Sequence, residues 1–483
     1  MPEQGTGREA SASWSELLWG RNGLRTLALA GGVALHAVNM FIVATILPSV
    51  VGDIGGLAYY SWNMTLFVMA SILSSALSPH LMAAAGPRRA FLVAIAIFSA
   101  GTIQCAMAPN IGWMLAGRTL QGLGGGALLG LSYSSVRIVF PERLWPKSMA
   151  LLSSMWGVAT LLGPAVGGMF AEAGLWRWAF WSVILVAAGL ALTVQTQMSR
   201  QSSLPQQARG VPFVQLGLMV LAVLVVSVAS LSPQAWKNLL GVAAGCVLTL
   251  AIVAADTRRR NRLMPDGAYE LARMGAVYAC IALLSIVVTS EIFVPYFLQV
   301  LHGHRPLAAG YLASLISIGW TTGTITSAGR KGGAIAAILR TGPVLTAVSI
   351  AGLGLLLTVE FSGPLASALA LALPLLGMGL GIGMCWPHLL THIYKVAPSG
   401  QENMASSAII TVQLYAVAFG SALGGMIANA AGFTDPGGVE GTGRAAWILL
   451  VSFGLAPALA AYFVIWVVRA RAATASARGT PAA

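Results

Sequence analysis

Residues 163–173 read GPAVGGMFAEA, and residues 420–430 read GSALGGMIANA. Seven of these eleven positions are identical, and each stretch closes a long apolar segment. Glycines at this spacing leave a flat helix face that allows close packing against a neighbouring helix in a membrane. The two stretches therefore predict an internal repeat built from membrane-spanning helices.

The composition indicates a protein that lies in lipid. The chain has 483 residues, of which 57% are hydrophobic and 8% are charged, whereas a soluble protein carries about 25% charged residues. The formal net charge is +13, but the basic residues lie in short loops between apolar segments, so we expect no nucleic-acid partner. The four cysteines show no metal-ligand spacing, and we expect neither a metal nor a cofactor.

A helix of about 20 apolar residues crosses the bilayer core and satisfies its own backbone hydrogen bonds there. Fourteen segments fit this description. They are 27–51, 61–82, 90–108, 111–139, 148–171, 176–198, 212–231, 238–255, 274–301, 307–328, 338–358, 366–392, 404–431 and 445–468. The sequence therefore predicts an all-α integral membrane protein with 14 spanning helices.

The distribution of lysine and arginine predicts the orientation of the chain. If the N-terminus is cytoplasmic and the segments alternate, 22 of the 27 basic residues lie on the inner side and five on the outer side. This is the asymmetry of the positive-inside rule, and a wrong number of segments would scramble it. We therefore expect a multi-pass protein of the bacterial plasma (inner) membrane with both termini in the cytoplasm.

The repeat also predicts the division of the chain. Its copies close the fifth and thirteenth segments, an offset of eight, whereas two six-helix halves alone would give an offset of six. The seventh and eighth segments are therefore expected to be an insertion. The predicted parts are a cytoplasmic N-terminal segment 1–24, a six-helix bundle 25–198, two inserted helices with linkers 199–265, a second six-helix bundle 266–470 and a cytoplasmic tail 471–483. Two like halves with a binding site between them are typical of secondary transporters.

Three local patterns lie in the first half of the chain. The fifth segment carries Gly157, Gly163, Pro164, Gly167 and Gly168. The fourth places Arg118, Gln121 and Gly122 on one helix face, and the turn after the second carries Gly86, Pro87, Arg88 and Arg89. Together these patterns resemble the major facilitator superfamily. With the tryptophan-rich start of the sixth segment, the chain resembles the fourteen-helix drug:proton antiporter branch.

The resemblance implies a major facilitator fold of two six-helix bundles plus two inserted helices. It also implies antiport, through the motif of the fifth segment, and a role for Arg118 in proton handling. Two positions depart from the pattern. Asn39, nine residues before Pro48, stands where the branch has an acid, and Ala83 replaces the aspartate of the loop motif. Because Asn39 cannot titrate, any coupling proton must bind elsewhere.

Glu291 is the acidic residue that lies well inside a predicted segment, the ninth. A charge at the bilayer centre costs roughly 2.5–3.5 kcal/mol, so a deep acid is a functional candidate. We expect Glu291 to carry the coupling proton, and a structural ion pair with Arg118 is the alternative. His36, one helical turn before Asn39, is a second candidate because histidine titrates near physiological pH; its alternative is a packing role.

A substrate cavity is expected between the halves, because aromatic and amide side chains offer apolar faces with polar tips. The same residue types also form interfacial belts in membrane proteins. The expected lining residues are Asn39, Gln121, Tyr133, Tyr296, Gln299, Trp320, Trp386, Gln413 and Tyr415.

These observations predict a secondary active transporter, a monomer that exports amphipathic or cationic small molecules in exchange for protons, as in multidrug efflux. The chain has no Gly-x4-Gly-Lys-Ser/Thr motif, which argues against ATP as the energy source. A facilitator, or an exporter of one metabolite without proton coupling, is the alternative. A membrane-embedded enzyme has less support, because the chain has neither His-Glu-x-x-His nor Gly-x-Ser-x-Gly. A sensor has less support because it would usually carry a soluble domain, whereas the segments outside the predicted spans are short.

Overall fold

The computed structural model describes residues 13–198, 210–259 and 261–477, and within these ranges the regular structure is helical. Predicted terminal and linker residues beyond them lie outside the described chain. The α-helices are α1 Trp14–Leu18, α2 Gly20–Ile54, α3 Trp62–Ala106, α4 Ile111–Val139, α5 Trp145–Glu172, α6 Trp176–Gln197, α7 Phe213–Ala229, α8 Ala235–Arg258, α9 Ala276–Val288, α10 Val294–His302, α11 Pro306–Ala328, α12 Gly333–Leu356, α13 Pro364–Val396, α14 Glu402–Ala430, α15 Gly438–Phe453 and α16 Leu455–Ala477. Single 3-10 turns lie at Leu57–Tyr59, Glu142–Leu144 and Thr289–Ile292, and a π turn lies at Leu271–Gly275.

Ten helical runs of the described chain are long and apolar enough to cross a membrane. The fourteen predicted segments all lie in helical regions, but four of them do not give a separate run that is long and apolar enough to cross a membrane. The second and third form one run, and α7 has only 17 residues. The helices α4 and α11 are less apolar because glycines and hydroxyl residues interrupt their apolar side chains.

The long helix α3 contains a sharp reversal at Gly86. This residue has φ 74° and ψ 161°, a conformation that glycine adopts without a steric penalty. Residues on both sides of the turn pack against one stretch of α4: a Cβ added at Gly122 would lie 2.3 Å from the Phe67 carbonyl oxygen, and one added at Gly124 would lie 2.3 Å from the Phe98 nitrogen. The chain therefore folds back on itself at Gly86, where the sequence predicts a turn.

The ninth and fourteenth predicted segments are each broken. In the ninth, α9 ends at Val288, the turn Thr289–Ile292 follows, and Pro295 lies in the first turn of α10. Proline lacks the backbone N–H that would continue the helix. In the fourteenth, α15 and α16 meet at Gly454. The first break places Glu291 in irregular backbone rather than in a continuous helix.

The helices pack in two groups and one pair. Helices α2–α6 pack together as the first group, and α9–α16 pack together as the second group. The pair α7–α8 lies against α3 and α14, so it covers one seam between the groups. On the opposite seam, α5 packs against α11.

The repeated glycines make equivalent contacts in the two groups. A Cβ added at Gly163 would lie 2.2 Å from the Phe41 Cβ of α2, and one added at Gly420 would lie 3.1 Å from the Ile286 Cα of α9. The predicted segments that contain Phe41 and Ile286 are the first and the ninth, which differ by the same offset of eight as the repeat. The first glycine of each copy therefore holds its helix against the opening helix of its own group.

The last glycine of each motif contacts the opposite group. A Cβ added at Gly168 would lie 2.5 Å from the Leu307 Cα of α11, and one added at Gly425 would lie 1.9 Å from the Ser61 Oγ at the start of α3. These partners begin the tenth and second predicted segments, again eight apart. The groups therefore meet through two related glycine contacts at one end of the protein. We call this the joined end, comprising residues 55–62, 290–310 and 421–433.

We predict that Gly168→Ala opens the joined end. Its methyl group would overlap the α11 backbone, and overpacking of this kind costs about 1–3 kcal/mol, so the population with the groups apart should rise about fivefold or more. Nitroxides at Trp113→Cys and Glu440→Cys, both exposed positions, report this as a longer distance in pulsed EPR.

The labelled protein would carry Cys246→Ser, because Cys246 is exposed and would also react with the label, whereas the other three cysteines are buried. Gly157→Ala is the matched control, since nothing lies within 4 Å of a Cβ added there. Equal distance distributions for the two variants would contradict the prediction.

Candidate functional site

A buried arginine forms the centre of a polar network inside the first group. Arg118 is 1% exposed, and its Nε donates to the Asn63 carbonyl oxygen at 3.1 Å while Nη1 donates to Gln121 Oε1 at 2.6 Å. The guanidinium also lies over the Phe67 ring, 4.2 Å from its centroid, where the ring face attracts a cation. The charge is therefore held by neutral acceptors and a π-face.

Gln121 extends this network to α2 and to the part of α3 that follows the reversal at Gly86. Its Nε2 donates to Asn39 Oδ1 at 3.2 Å and to Thr102 Oγ1 at 3.0 Å. The Nδ2 atom of Asn39 is buried and has no hydrogen-bond partner among the described residues. The structure thus brings Asn39 together with Arg118 and Gln121, the two residues that the sequence places on one helix face. Asn39 accepts a hydrogen bond at the position where the resembled branch has an acid.

His36 lies beside this network within an aromatic stack. Its ring is 5.0 Å from the Phe67 centroid in stacked geometry and 6.0 Å from Trp156 in edge geometry. Phe67 therefore contacts both His36 and Arg118. A positive charge on His36 would face the Arg118 guanidinium at close range, which favours the packing interpretation over the proton-carrying one.

Glu291 lies in the second group, separate from the Arg118 network. It is half-buried in the turn between α9 and α10. The five ion pairs between described residues join other side chains, which are exposed or partly exposed. The alternative considered for Glu291, a structural ion pair with Arg118, does not form in this conformation. Glu291 thus remains a candidate proton carrier rather than a structural partner of Arg118.

An aromatic cluster holds the joined end together. Tyr60 from the first group stacks on Phe293 at 5.5 Å and contacts Tyr296 and Phe433 edge-on at 5.5 and 5.7 Å. Its hydroxyl donates to the Ile292 carbonyl oxygen at 3.1 Å, next to Glu291. Tyr60 therefore attaches the first group directly to the irregular segment that carries the candidate acid.

Further hydrogen bonds join the groups through their side chains. Ser421 donates to the Ser61 carbonyl oxygen at 3.3 Å, and Asn429 donates to the Ala58 carbonyl oxygen at 3.0 Å. On the opposite seam, the Ser314 hydroxyl donates to the Thr160 carbonyl oxygen at 2.9 Å. Each donor lies in the second group, and each acceptor is a backbone carbonyl oxygen of the first group.

The other expected cavity residues are dispersed. Trp320 and Trp386 pair at 4.8 Å within the second group, and Tyr296 belongs to the aromatic cluster. The Tyr415 hydroxyl is 2.7 Å from Thr249 Oγ1 of α8, so it faces the inserted pair. Gln299, Tyr133 and Gln413 are half-buried, and Gln299 Nε2 is a buried donor without a partner.

The remaining motif residues have varied surroundings. Arg88 Nε donates to Gln195 Oε1 at 3.0 Å, which ties the turn to α6, while Arg89 is exposed. Pro164 lies against Gly310 of α11. Gly157 has open space beside it, unlike the other glycines of its motif.

Sequence reasoning missed two functional candidates, Tyr60 and Asp256. Tyr60 lies outside the predicted spans, and its role depends on contacts with residues more than 230 positions away. Asp256 lies one residue beyond the predicted eighth segment, yet it is 1% exposed. An acid directly after a span was the signal for Asp256. In the described ranges, no three His, Cys, Asp or Glu side chains cluster in a way that could hold a metal ion.

Comparison with known proteins identifies relatives along the whole chain. The sequence profile of the Major Facilitator Superfamily matches residues 29–421. A probable multidrug-efflux transporter of Mycobacterium tuberculosis is 35% identical over 460 residues, which cover 94% of this chain and 96% of that protein. An uncharacterized MFS-type transporter of the same bacterium is 26% identical over 322 residues, 63% of this chain and 46% of that protein.

Solved structures agree on the fold. The D-xylose-proton symporter superposes with a TM-score of 0.65 at 15% identity, covering 92% of this chain and 97% of that one. A bacterial homologue of the human lysosomal transporter Spinster gives a TM-score of 0.62, also at 15% identity, over 93% of this chain and 97% of that one. At this identity the similarity establishes the architecture alone.

We predict that Tyr60→Phe weakens the joined end while leaving its packing intact. The variant loses the hydrogen bond to Ile292, a contribution of about 0.5–1.5 kcal/mol, so the separated population should rise about two- to tenfold. The Trp113–Glu440 label pair measures this change.

Tyr59→Phe serves as the control, because the Tyr59 ring contacts Trp62 of its own group. If Tyr60→Phe and Tyr59→Phe give the same distribution as the parent protein, the hydroxyl does not hold the groups together.

Proposed function

This chain belongs to the Major Facilitator Superfamily and is a multi-pass membrane transporter rather than an enzyme, and we propose that it exports amphipathic or cationic small molecules in exchange for protons. The observation that carries the proposal is the 35% identity, over almost the full length of both chains, to a probable multidrug-efflux transporter. Substrate and proton would use the space between the two helix groups in turn, by alternating access.

The proposed architecture has fourteen spans. The first group corresponds to the six-helix bundle 25–198, the second to the bundle 266–470, and α7–α8 to the insertion within 199–265. The equivalent glycine contacts of the two motif copies support this division. We also propose a monomer in the bacterial plasma membrane, with both termini cytoplasmic.

With that orientation, the joined end is the outer end of the transporter. Ala58 and Tyr60 lie between the first and second predicted spans, and Ser61 begins the second. Their contacts would close the protein toward the outside. The conformation would then be open toward the cytoplasm, ready to take up a substrate for export.

Glu291 is the proposed proton carrier. It is half-buried, unpaired with Arg118, and attached through the neighbouring Ile292 to the contact that closes the joined end. Burial favours the neutral form of a carboxyl group. When the joined end opens, Glu291 would meet water and could ionise, so that proton exchange follows the change of access. The membrane potential can contribute about 2.3 kcal/mol per charge for each 100 mV.

The second candidate function is transport without proton coupling. It is favoured by Asn39 and Ala83, which stand where the resembled branch carries acids. In that case Glu291 would contribute to binding or packing alone. A facilitator or an exporter of one metabolite would have the same fold and the same joined end.

We predict that a substrate triggers proton release from proteoliposomes with an acidic interior and a trapped pH dye, and that Glu291→Gln abolishes this release. The amide is close in size to the acid but cannot ionise. Lipophilic cations and neutral amphiphiles form the compound panel, and the dye signal is the measurement.

Glu360→Gln is the matched control, because Glu360 is an exposed acid of the second group. If Glu291→Gln releases protons as the parent does, Glu291 is not the carrier. Uptake of an isotope-labelled compound with no dye signal in the parent protein would refute proton coupling and favour the facilitator.

A further inference from the structure

Asp256 is a buried carboxylate at the end of α8, 1% exposed. Oδ1 accepts from Gln215 Nε2 at 3.1 Å and from the Leu263 backbone N–H at 2.6 Å, and Oδ2 accepts from the Met264 N–H at 3.2 Å and the Tyr269 hydroxyl at 3.0 Å. A buried charge requires hydrogen bonds of this kind. The Asp256 side chain therefore holds one end of α7 and the linker after α8 together.

Tyr269 is a secure donor in this arrangement. Burial and the neighbouring Asp256 carboxylate raise the pKa of the Tyr269 phenol. The phenol therefore keeps its proton and donates it to Asp256 throughout the physiological pH range.

The same linker is clamped to the second group. The Asp266 backbone N–H donates to Gln401 Oε1 at 2.9 Å, and Gln401 Nε2 donates to Asp266 Oδ2 at 2.7 Å. Gln401 directly precedes α14, and Arg262 pairs with Asp266 within the linker. Through Asp256 and this clamp, the end of the α7–α8 pair is fixed to α14.

Two more polar contacts attach the pair to α14 farther along. Thr249 Oγ1 of α8 lies 2.7 Å from the Tyr415 hydroxyl, and Asn429 Nδ2 donates to the Ser230 carbonyl oxygen at 3.2 Å. Together with the linker clamp, these contacts span the length of α14. The pair is therefore held to the second group at both ends and in the middle.

The contact with the first group is different in kind. Leu216, Met219 and Val223 of α7 pack with Phe67 and Ile72 of α3. Within 213–258, the side-chain hydrogen bonds that leave the pair end on the linker or on the second group. Hydrogen bonds fix distance and angle, whereas apolar contact is non-directional. The α3 surface can therefore slide beneath α7 without breaking a polar contact.

We propose that Asp256 is a positioning residue that fastens the inserted pair to the second group, so that α7–α8 moves with this group and slides over α3. The pair would keep the α3–α14 seam covered while the groups exchange access, and lipid would be excluded from the space between them. This proposal rests on alternating access as proposed above.

Pulsed EPR tests the proposal with a nitroxide at Val247→Cys of α8 in the Cys246→Ser background. A second label at Leu459→Cys reports the distance to the second group, and one at Leu185→Cys reports the distance to the first; all three positions are exposed. The Gly168→Ala variant, which should raise the population with the groups apart, is compared with the parent protein. We expect the Val247–Leu459 distance to stay constant, and the Val247–Leu185 distance to change by about 5 Å, the rise of one helical turn, or more.

The Trp113–Glu440 pair separates failure of this proposal from failure of alternating access. If that pair never changes, the alternation itself is refuted. If it changes and the Val247–Leu459 distance changes as much as the Val247–Leu185 distance, the pair does not travel with the second group and the positioning proposal is wrong.

Asp256→Ala should broaden the Val247–Leu459 distribution, and Asp256→Asn, which keeps one acceptor oxygen, should broaden it less. Glu270→Gln is the control, since Glu270 is an exposed acid of the same linker. Asp256→Ala leaves four hydrogen-bond donors without their acceptor and can prevent folding. Tyr415→Phe is therefore a milder variant, which removes only the contact with Thr249. A distribution as narrow as the parent's in folded Asp256→Ala would overturn the role of Asp256.

Discussion

Close approach of helix backbones through glycine is the constraint on which this structure depends. In lipid, apolar side chains gain little by leaving their surroundings, so helices associate through tight packing and hydrogen bonds. Gly163 and Gly420 bring their helices against the opening helix of each group, and Gly168 and Gly425 bring the groups against each other. One short motif thus serves both the stability of each group and the contact between them.

At the joined end the groups meet through glycine contacts, one aromatic cluster and side-chain hydrogen bonds to backbone carbonyl oxygens. The bonds from Ser421, Asn429 and Tyr60 each end on a carbonyl oxygen that water can satisfy after separation. The polar contacts of the joined end would therefore cost little to break, as the proposed alternating access requires.

The two charged candidates lie on opposite sides of this contact. Arg118 is satisfied within the first group by Asn63, Gln121 and Phe67, and Glu291 lies in the second group beside the backbone that Tyr60 binds. Substitution of the usual acid by Asn39 leaves Arg118 without a negative partner nearby. The proton coupling proposed for this protein therefore depends on Glu291, whose access to water would change if the joined end opened.

The sequence by itself determined the membrane class, the family, the repeat and its offset, because these depend on local hydropathy, glycine spacing and the distribution of basic residues. It also placed Arg118 and Gln121 on one helix face, since they are three residues apart in the fourth segment, whereas only the tertiary structure brings Asn39 to Gln121. Only the tertiary structure decided that Tyr60 joins the groups, that Tyr415 faces α8, and that Asp256 ties the inserted pair to α14. These contacts link residues far apart in the chain, and their geometry follows from how whole helices cross, which no local pattern encodes.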